Sequence, residues 1–93
     1  MLQLETTGQF RKDYKRLKKR GYDMCRLEQV IDMLLAEKEL AEQYHDHALS
    51  GTYAGFRECH VSRDWLLIYV VNRKKLILTA SRTGSHSDLL GNR

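Results

Sequence analysis

The chain has no proline and only two cysteines among its 93 residues. Without proline no bend is preset by a fixed φ, so turns must be made by Gly, Asn, Asp and Ser. Cys25 and Cys59 stand far apart and in no CxxC spacing, which argues against a disulfide scaffold or a thiolate metal cluster. Long apolar runs are missing too. The longest, Trp65 to Val71, falls far short of the ~20 residues of a membrane-spanning helix. The N-terminus, Met-Leu-Gln-Leu-Glu, lacks the basic segment and long apolar stretch of a secretion signal. A cytoplasmic protein without membrane association is expected. No GxxxxGK[ST] or GxGxxG run occurs, so no nucleotide cofactor is expected either.

What is present is the make-up of one small folded domain, residues 1–93, with no linker, repeat or low-complexity stretch. The hydrophobic share is 42% and the charged share 30%, too apolar for a disordered chain. Net charge is +4, and its distribution says more than the total. Residues 11–20 hold seven of the sixteen Lys and Arg residues, whereas residues 21–50 hold two against seven carboxylates. From Gly51 onward the balance is basic again, seven against three. One basic face suits a polyanion, and Lys12, Lys15, Arg16, Lys18 and Lys19 are the candidate contacts.

Leu2 to Glu5 reads as a short strand with Leu2 and Leu4 on one face. Thr6 or Thr7 can cap a helix running through Arg20, on which Phe10, Tyr14 and Leu17 recur at helical spacing and after which Gly21 can end it. Asp23 can cap a second helix reaching Ala36 or Glu39, with Met24, Leu27, Val30, Ile31, Leu34 and Leu35 as its apolar stripe. Residues 40–55 read as irregular. Phe56–Val61, Trp65–Val71 and Lys75–Ser81 then carry β patterning, the last two joined by a turn at Asn72-Arg73-Lys74. The expected fold class is α+β, in the order β-α-α-β-β-β. It is a mostly antiparallel four-stranded sheet with both helices on one face and the other left open. One helical turn near Leu89 closes the chain.

All four histidines, His45, His47, His60 and His86, lie in the second half, on expected loops and strand ends. Asp64 follows His60 by four residues, and Arg82 precedes His86 by four. Metal-free RNA cleavage needs a base for the attacking 2′-hydroxyl, an acid for the departing 5′-oxygen, and a cation for the phosphoryl oxygens. Histidine suits either proton role because its ordinary pKa of about 6.5 lies near working pH. A carboxylate serves as base or orients a histidine, and arginine grips phosphate through two parallel hydrogen bonds. Zinc on His45-x-His47 with His60 or His86 is the competing reading, but no Cys stands at ligand spacing, and no metal is expected. Trp65 and Tyr69 have rings that stack on bases, although an apolar strand is more often core.

Three stretches together resemble a known family. They are His45-Asp46-His47-Ala48-Leu49-Ser50-Gly51; Gly55-Phe56-Arg57-Glu58-Cys59-His60-Val61 with Asp64-Trp65-Leu66-Leu67-Ile68-Tyr69; and Arg82-Thr83-Gly84-Ser85-His86-Ser87-Asp88-Leu89. They look like the YafQ branch of the RelE/ParE toxin superfamily, and the likeness extends over nearly the whole chain. It implies a type II toxin that cuts messenger RNA in the A site of the 70S ribosome and is neutralised by a cognate antitoxin. Operator DNA would be reached only through that antitoxin. The catalytic set it implies is His47, His60, Asp64, Arg82 and His86. In it His86 is the acid, His47 or Asp64 the base, His60 shares or orients that role, and Arg82 steadies the phosphate. Trp65 joins the basic helix as an RNA contact. His45 has no counterpart in the pattern. Leu90 stands where the branch commonly has phenylalanine, and leucine packs but does not stack on a base. The alternative is a ParE-like gyrase inhibitor or a non-catalytic antitoxin-binding module of the same fold, neither of which needs the histidines.

Overall fold

The computed structural model describes residues 1–90. Chain order is β1 (Gln3–Thr6), α1 (Gly8–Lys19), α2 (Met24–Leu35), β2 (His47–Ala48), β3 (Arg57–Ser62), β4 (Trp65–Asn72), β5 (Ile77–Gly84) and α3 (His86–Leu90). Short 3-10 turns at Glu42–Tyr44 and Gly51–Tyr53 flank β2. The strands lie in the order β1-β5-β4-β3-β2, with β1 parallel to β5 and every other neighbour antiparallel. The expected α+β layer is present, with five strands rather than four. The extra one, β2, is two residues long and therefore carries no readable period; its pairing places His47 opposite Glu58.

Both helices start where the capping residues predict. The Thr7 hydroxyl accepts from the Phe10 amide at 3.0 Å, and the Asp23 carboxylate accepts from the Cys25 amide at 3.2 Å. Between the helices Gly21 takes φ +87°, a conformation in which a side chain would be strained. Phe10 and Leu17 of α1 and Leu27, Val30 and Ile31 of α2 bury against Cys59, Leu67, Tyr69, Leu78 and Ala80 of the sheet. Leu2 joins them, but Leu4 is exposed on the outer strand rather than sharing its burial. The opposite face is not wholly open. Leu66, Ile68 and Leu89 form a second, smaller cluster there, covered in part by Leu49, Tyr53, Phe56 and Leu90. No helix among the described residues is long and apolar enough to cross a membrane.

One polar side chain lies inside this packing. Asp13 sits between Phe10 and Leu17 on the buried stripe of α1 and is 0% exposed. β1 ends opposite Ala80, leaving the outer edge of β5 unpaired beyond it. α1 supplies the missing partners. The Thr7 hydroxyl donates to the Ser81 carbonyl at 2.8 Å, and Asp13 accepts from the Thr83 amide at 3.1 Å. Asp13 also takes both Nε and Nη2 of Arg82, at 2.8 and 3.2 Å, and the Gln9 amide at 3.1 Å. Arg16 stands 3.1 Å away. Burial pushes the Asp13 carboxyl upward, but the bonds from Arg82, Gln9 and Thr83 outweigh it and hold the group below its ordinary value.

Removing one partner of such a buried pair leaves the other uncompensated, so Asp13→Ala is expected to cost about 3–5 kcal/mol. The melting temperature should fall by more than about 10 °C, measured by calorimetry. The pH dependence has a definite sign. Because the folded pKa is the lower one, the Asp13 contribution is fully present above the unfolded value of about 3.9 and is lost as pH falls through the folded value. Urea unfolding between pH 3 and 7 should therefore show an acid-side loss that is shallower in Asp13→Asn.

Candidate active site

The second face of the sheet carries the titratable groups. His60 on β3 pairs with Leu66 and so points to the side of the smaller cluster, away from α1 and α2. Glu58, two residues earlier, points the same way opposite Ile68, and His47 faces it from β2. The β3–β4 turn brings Asp64 beneath α3. There its carboxylate accepts from Nδ1 of His86 at 2.7 Å and from the His86 amide at 3.3 Å. α3 lies close to the sheet because position 84 is glycine: a Cβ there would stand 3.0 Å from the Asp88 Cβ. Arg16 and Arg20 of α1 bind Asp88 from the far side, at 3.9 and 3.3 Å. His86 is thus set by a turn, a glycine and an ion pair.

The rings form a chain. His45 and His60 have centroids 5.2 Å apart, and His60 and His86 5.7 Å apart. The His60 pKa is lowered from 6.5, mainly by burial, with the neighbouring imidazoles adding to the shift and Glu58 opposing it. The balance favours the neutral imidazole of His60. His47 lies 2.6 Å from the His45 carbonyl through Nδ1. A carbonyl only accepts, so Nδ1 carries the hydrogen, and Nε2 faces Glu58 at 3.5 Å. That contact is attractive only with a proton between the two groups. Glu58 is 4% exposed; its Oε1 also lies 3.9 Å from His60, while its Oε2 has no hydrogen-bond partner. Hydrogen bonds from His86 hold Asp64 below the ordinary aspartate range.

Of the residues singled out in the sequence, His47, His60, Asp64 and His86 converge. Arg82 lies on the same face, opposite Ile68, with two of its guanidinium nitrogens held by Asp13. Trp65 corrects its expectation as an RNA contact. It is 3% exposed on the helix side, its indole N–H donates to Thr83 Oγ1 at 2.9 Å, and its ring meets Tyr22 edge-on at 5.0 Å. The residue next to Asp64 on a strand must point away from the face that Leu66 and His60 share. Lys12, Lys15, Lys18 and Lys19 are exposed along α1, whereas Arg16 is drawn into the Asp13–Asp88 ion pairs. Two members were missed. Glu58 was legible as the alternate neighbour of His60 on a strand, which shares its face. His45 reaches the ring chain through a left-handed backbone, φ 48°, that no local pattern predicts. Cys59 is no nucleophile, since burial pushes its thiol up to about 12.

The family of bacterial toxins of type II toxin–antitoxin systems, YafQ, matches residues 2–91. The mRNA interferase toxin YafQ of Escherichia coli strain K12 is 39% identical over 89 residues, 95% of each chain. A metal-bound toxin from Helicobacter pylori superposes with a TM-score of 0.90 at 44% identity, over 96% of this chain and 99% of its own. YafQ in the E. coli DinJ–YafQ complex gives 0.88 at 37% identity, over 98% and 100%. Among the residues described here, no three His, Cys, Asp or Glu side chains are disposed to hold a metal ion. On a match that spans nearly its whole length, this chain belongs to the YafQ family of type II toxins.

Proposed function

We propose that this chain is an mRNA interferase that cuts messenger RNA in the ribosomal A site by metal-independent acid–base catalysis and is held inactive by a cognate antitoxin. The observation that carries the reading is the pairing of His86, oriented by Asp64, with His60 at 5.7 Å on one face of the sheet, where burial favours the neutral form of His60. With Nδ1 donated to Asp64, His86 presents Nε2 outward, the nitrogen from which an acid releases its proton. His60 takes the proton from the 2′-hydroxyl. The 2′-oxygen then bonds to the adjacent phosphorus, the bond from phosphorus to the 5′-oxygen breaks, and His86 protonates that oxygen. The products are a 2′,3′-cyclic phosphate and a free 5′-hydroxyl.

Glu58 stands where it stabilises the imidazolium formed on His60, and its carboxylate also faces His47. Asp64 is engaged by His86, which makes it the orienting group rather than the base. Arg82, aligned by Asp13, is the cation for the phosphoryl oxygens. Burial of Trp65 leaves the exposed lysines of α1 as the grip on ribosomal RNA, a non-specific electrostatic contact. That basic surface also suits an acidic, extended antitoxin segment, with operator DNA reached only through the antitoxin. Support comes from the relatives named as mRNA interferase and as the partner of DinJ.

The test is mapping of 5′ ends on mRNA incubated with programmed ribosomes and EDTA-treated protein. A-site cuts are expected from the parent, slowed about 10²–10⁴-fold by His86→Ala. A folded parent that makes no cuts sinks the reading. Titration of His60 by NMR is expected to give a midpoint below 6.5, moved lower still by Glu58→Gln, which removes the one opposing attraction. Activity should accordingly rise with pH through that midpoint as His60 loses its proton. Replacing Lys12, Lys15, Lys18 and Lys19 with Ala should flatten the log–log salt dependence of ribosome binding by about 3, at ~0.7–0.9 per phosphate released. An unchanged slope would show that α1 makes no such contact.

A further inference from the structure

Most arginines of the described residues are engaged by the protein itself. Arg16, Arg20, Arg57, Arg73 and Arg82 are ion-paired with carboxylates, and Arg11 donates to Thr6. Arg26 and Arg63 have neither an ion pair nor a side-chain hydrogen bond among those residues. Both are exposed, and both line one depression of about 550 Å³, together with Gln43, Tyr44, His45 and His60. That volume lies within the ~300–1,000 Å³ of small-ligand sites. The hollow therefore joins two unpaired guanidinium groups, an amide and two imidazoles, one of them His60. No carboxylate lines it. Its position follows from the chain path: Arg26 comes from the first turn of α2, and Arg63 precedes Asp64 in the turn that orients His86.

We infer that this depression is a subsite for the RNA phosphodiester on the 5′ side of the cut. The inference rests on the nuclease reading above. His60 addresses the 2′-hydroxyl, which belongs to the nucleotide upstream of the scissile phosphate, and His86 addresses the downstream oxygen. The hollow lies on the His60 side and does not include His86, so the strand that enters it is the upstream one. Two guanidinium groups supply the kind of donors that grip the oxygens of a phosphate, and His45, whose ring lies 5.2 Å from that of His60, lines the same hollow. His45, outside the residue set that the family resemblance implies, thereby has a place in substrate binding.

The experiment crosses a protein change with a substrate change. On programmed ribosomes, a neutral methylphosphonate at the 5′-flanking linkage should slow the parent at least about tenfold. Arg26→Ala/Arg63→Ala should be slowed similarly on ordinary mRNA and lose nothing further on the modified one. Full retention of the methylphosphonate penalty in the variant overturns the subsite. In a second arm, the isolated protein is titrated by NMR with a short RNA blocked by a 2′-O-methyl group at the cut. Binding should shift the amides of Ser62 and Arg63, and the log–log salt slope should flatten by about 0.7 in the double variant. Both side chains are exposed, so an unchanged melting temperature certifies the fold. A parent that binds this RNA as described but never cuts mRNA sinks the nuclease reading and overturns the placement beside a cut, leaving the hollow as an RNA-phosphate site alone. A parent that cuts while the variant cuts and binds equally well overturns the subsite alone, and a parent that does neither overturns both.

Discussion

A buried carboxylate holds this small domain in register. Asp13 has no exposed surface, and its two oxygens receive hydrogen bonds from Gln9, from the Thr83 amide and from two nitrogens of Arg82. A buried ion pair is ordinarily poor value for stability, since well-packed apolar residues serve as well or better. Here the pair closes a defect that apolar packing cannot close. β1 is too short to cover β5, and the edge it leaves unpaired needs an acceptor for the buried Thr83 amide. An unsatisfied buried amide would cost about 1–3 kcal/mol on its own. Once Asp13 is there to meet it, the charge demands Arg82, and Arg82 is thereby aligned on the face where the histidines lie.

The same strand carries the consequences forward. Thr83 accepts from the Trp65 indole and donates to the Leu66 carbonyl, tying β5 to β4. Gly84 then lets α3 close down, and Asp88 anchors that helix to Arg16 and Arg20 of α1. His86 thus inherits its position from α1 by two routes, through Asp13 and through Asp88. The ring chain behaves differently. His45, His60 and His86 crowd one another, and adjacent imidazoles disfavour a charge on the middle one. Rigid ion pairs set where the groups stand, and crowding with burial disfavours the charged form of His60.

Much of this was legible in the sequence because it is local. Thr7 and Asp23 announce helix starts, and the apolar periods place both helices on one face. The shift from period 3.6 to period 2 marks the strands. β2 escaped because two residues have no period, and Leu4 misled because an edge strand can bear an apolar side chain outside the core. Asp13 was readable in principle, as a charge at i+3 from Phe10 and four before Leu17, but helical spacing cannot say whether such a charge will find a partner. Its partner is 69 positions away. Trp65 illustrates the reverse error: a family pattern attaches to a position, while the pleat decides which face the ring occupies.

The division of labour among the cations sharpens the functional reading. Net charge alone, +4, says little about where RNA would lie. Apart from Arg82, which Asp13 holds beside the histidines, the fold removes Arg16, Arg20, Arg57 and Arg73 from consideration by pairing them with Asp13, Asp88, Asp46 and Glu37. That pattern has a physical reason, since a planar guanidinium meets a carboxylate in two parallel bonds and tolerates partial burial better than an ammonium does. The lysines of α1 stay in solvent, suited to a long-range, sequence-blind attraction that salt screens. Arg26 and Arg63 are exceptions to the arginine pattern, and both border the ring chain. Two tasks that a ribosome-bound nuclease would need, approach to a large polyanion and local grip on a strand beside the cut, thus fall to chemically different residues on different surfaces.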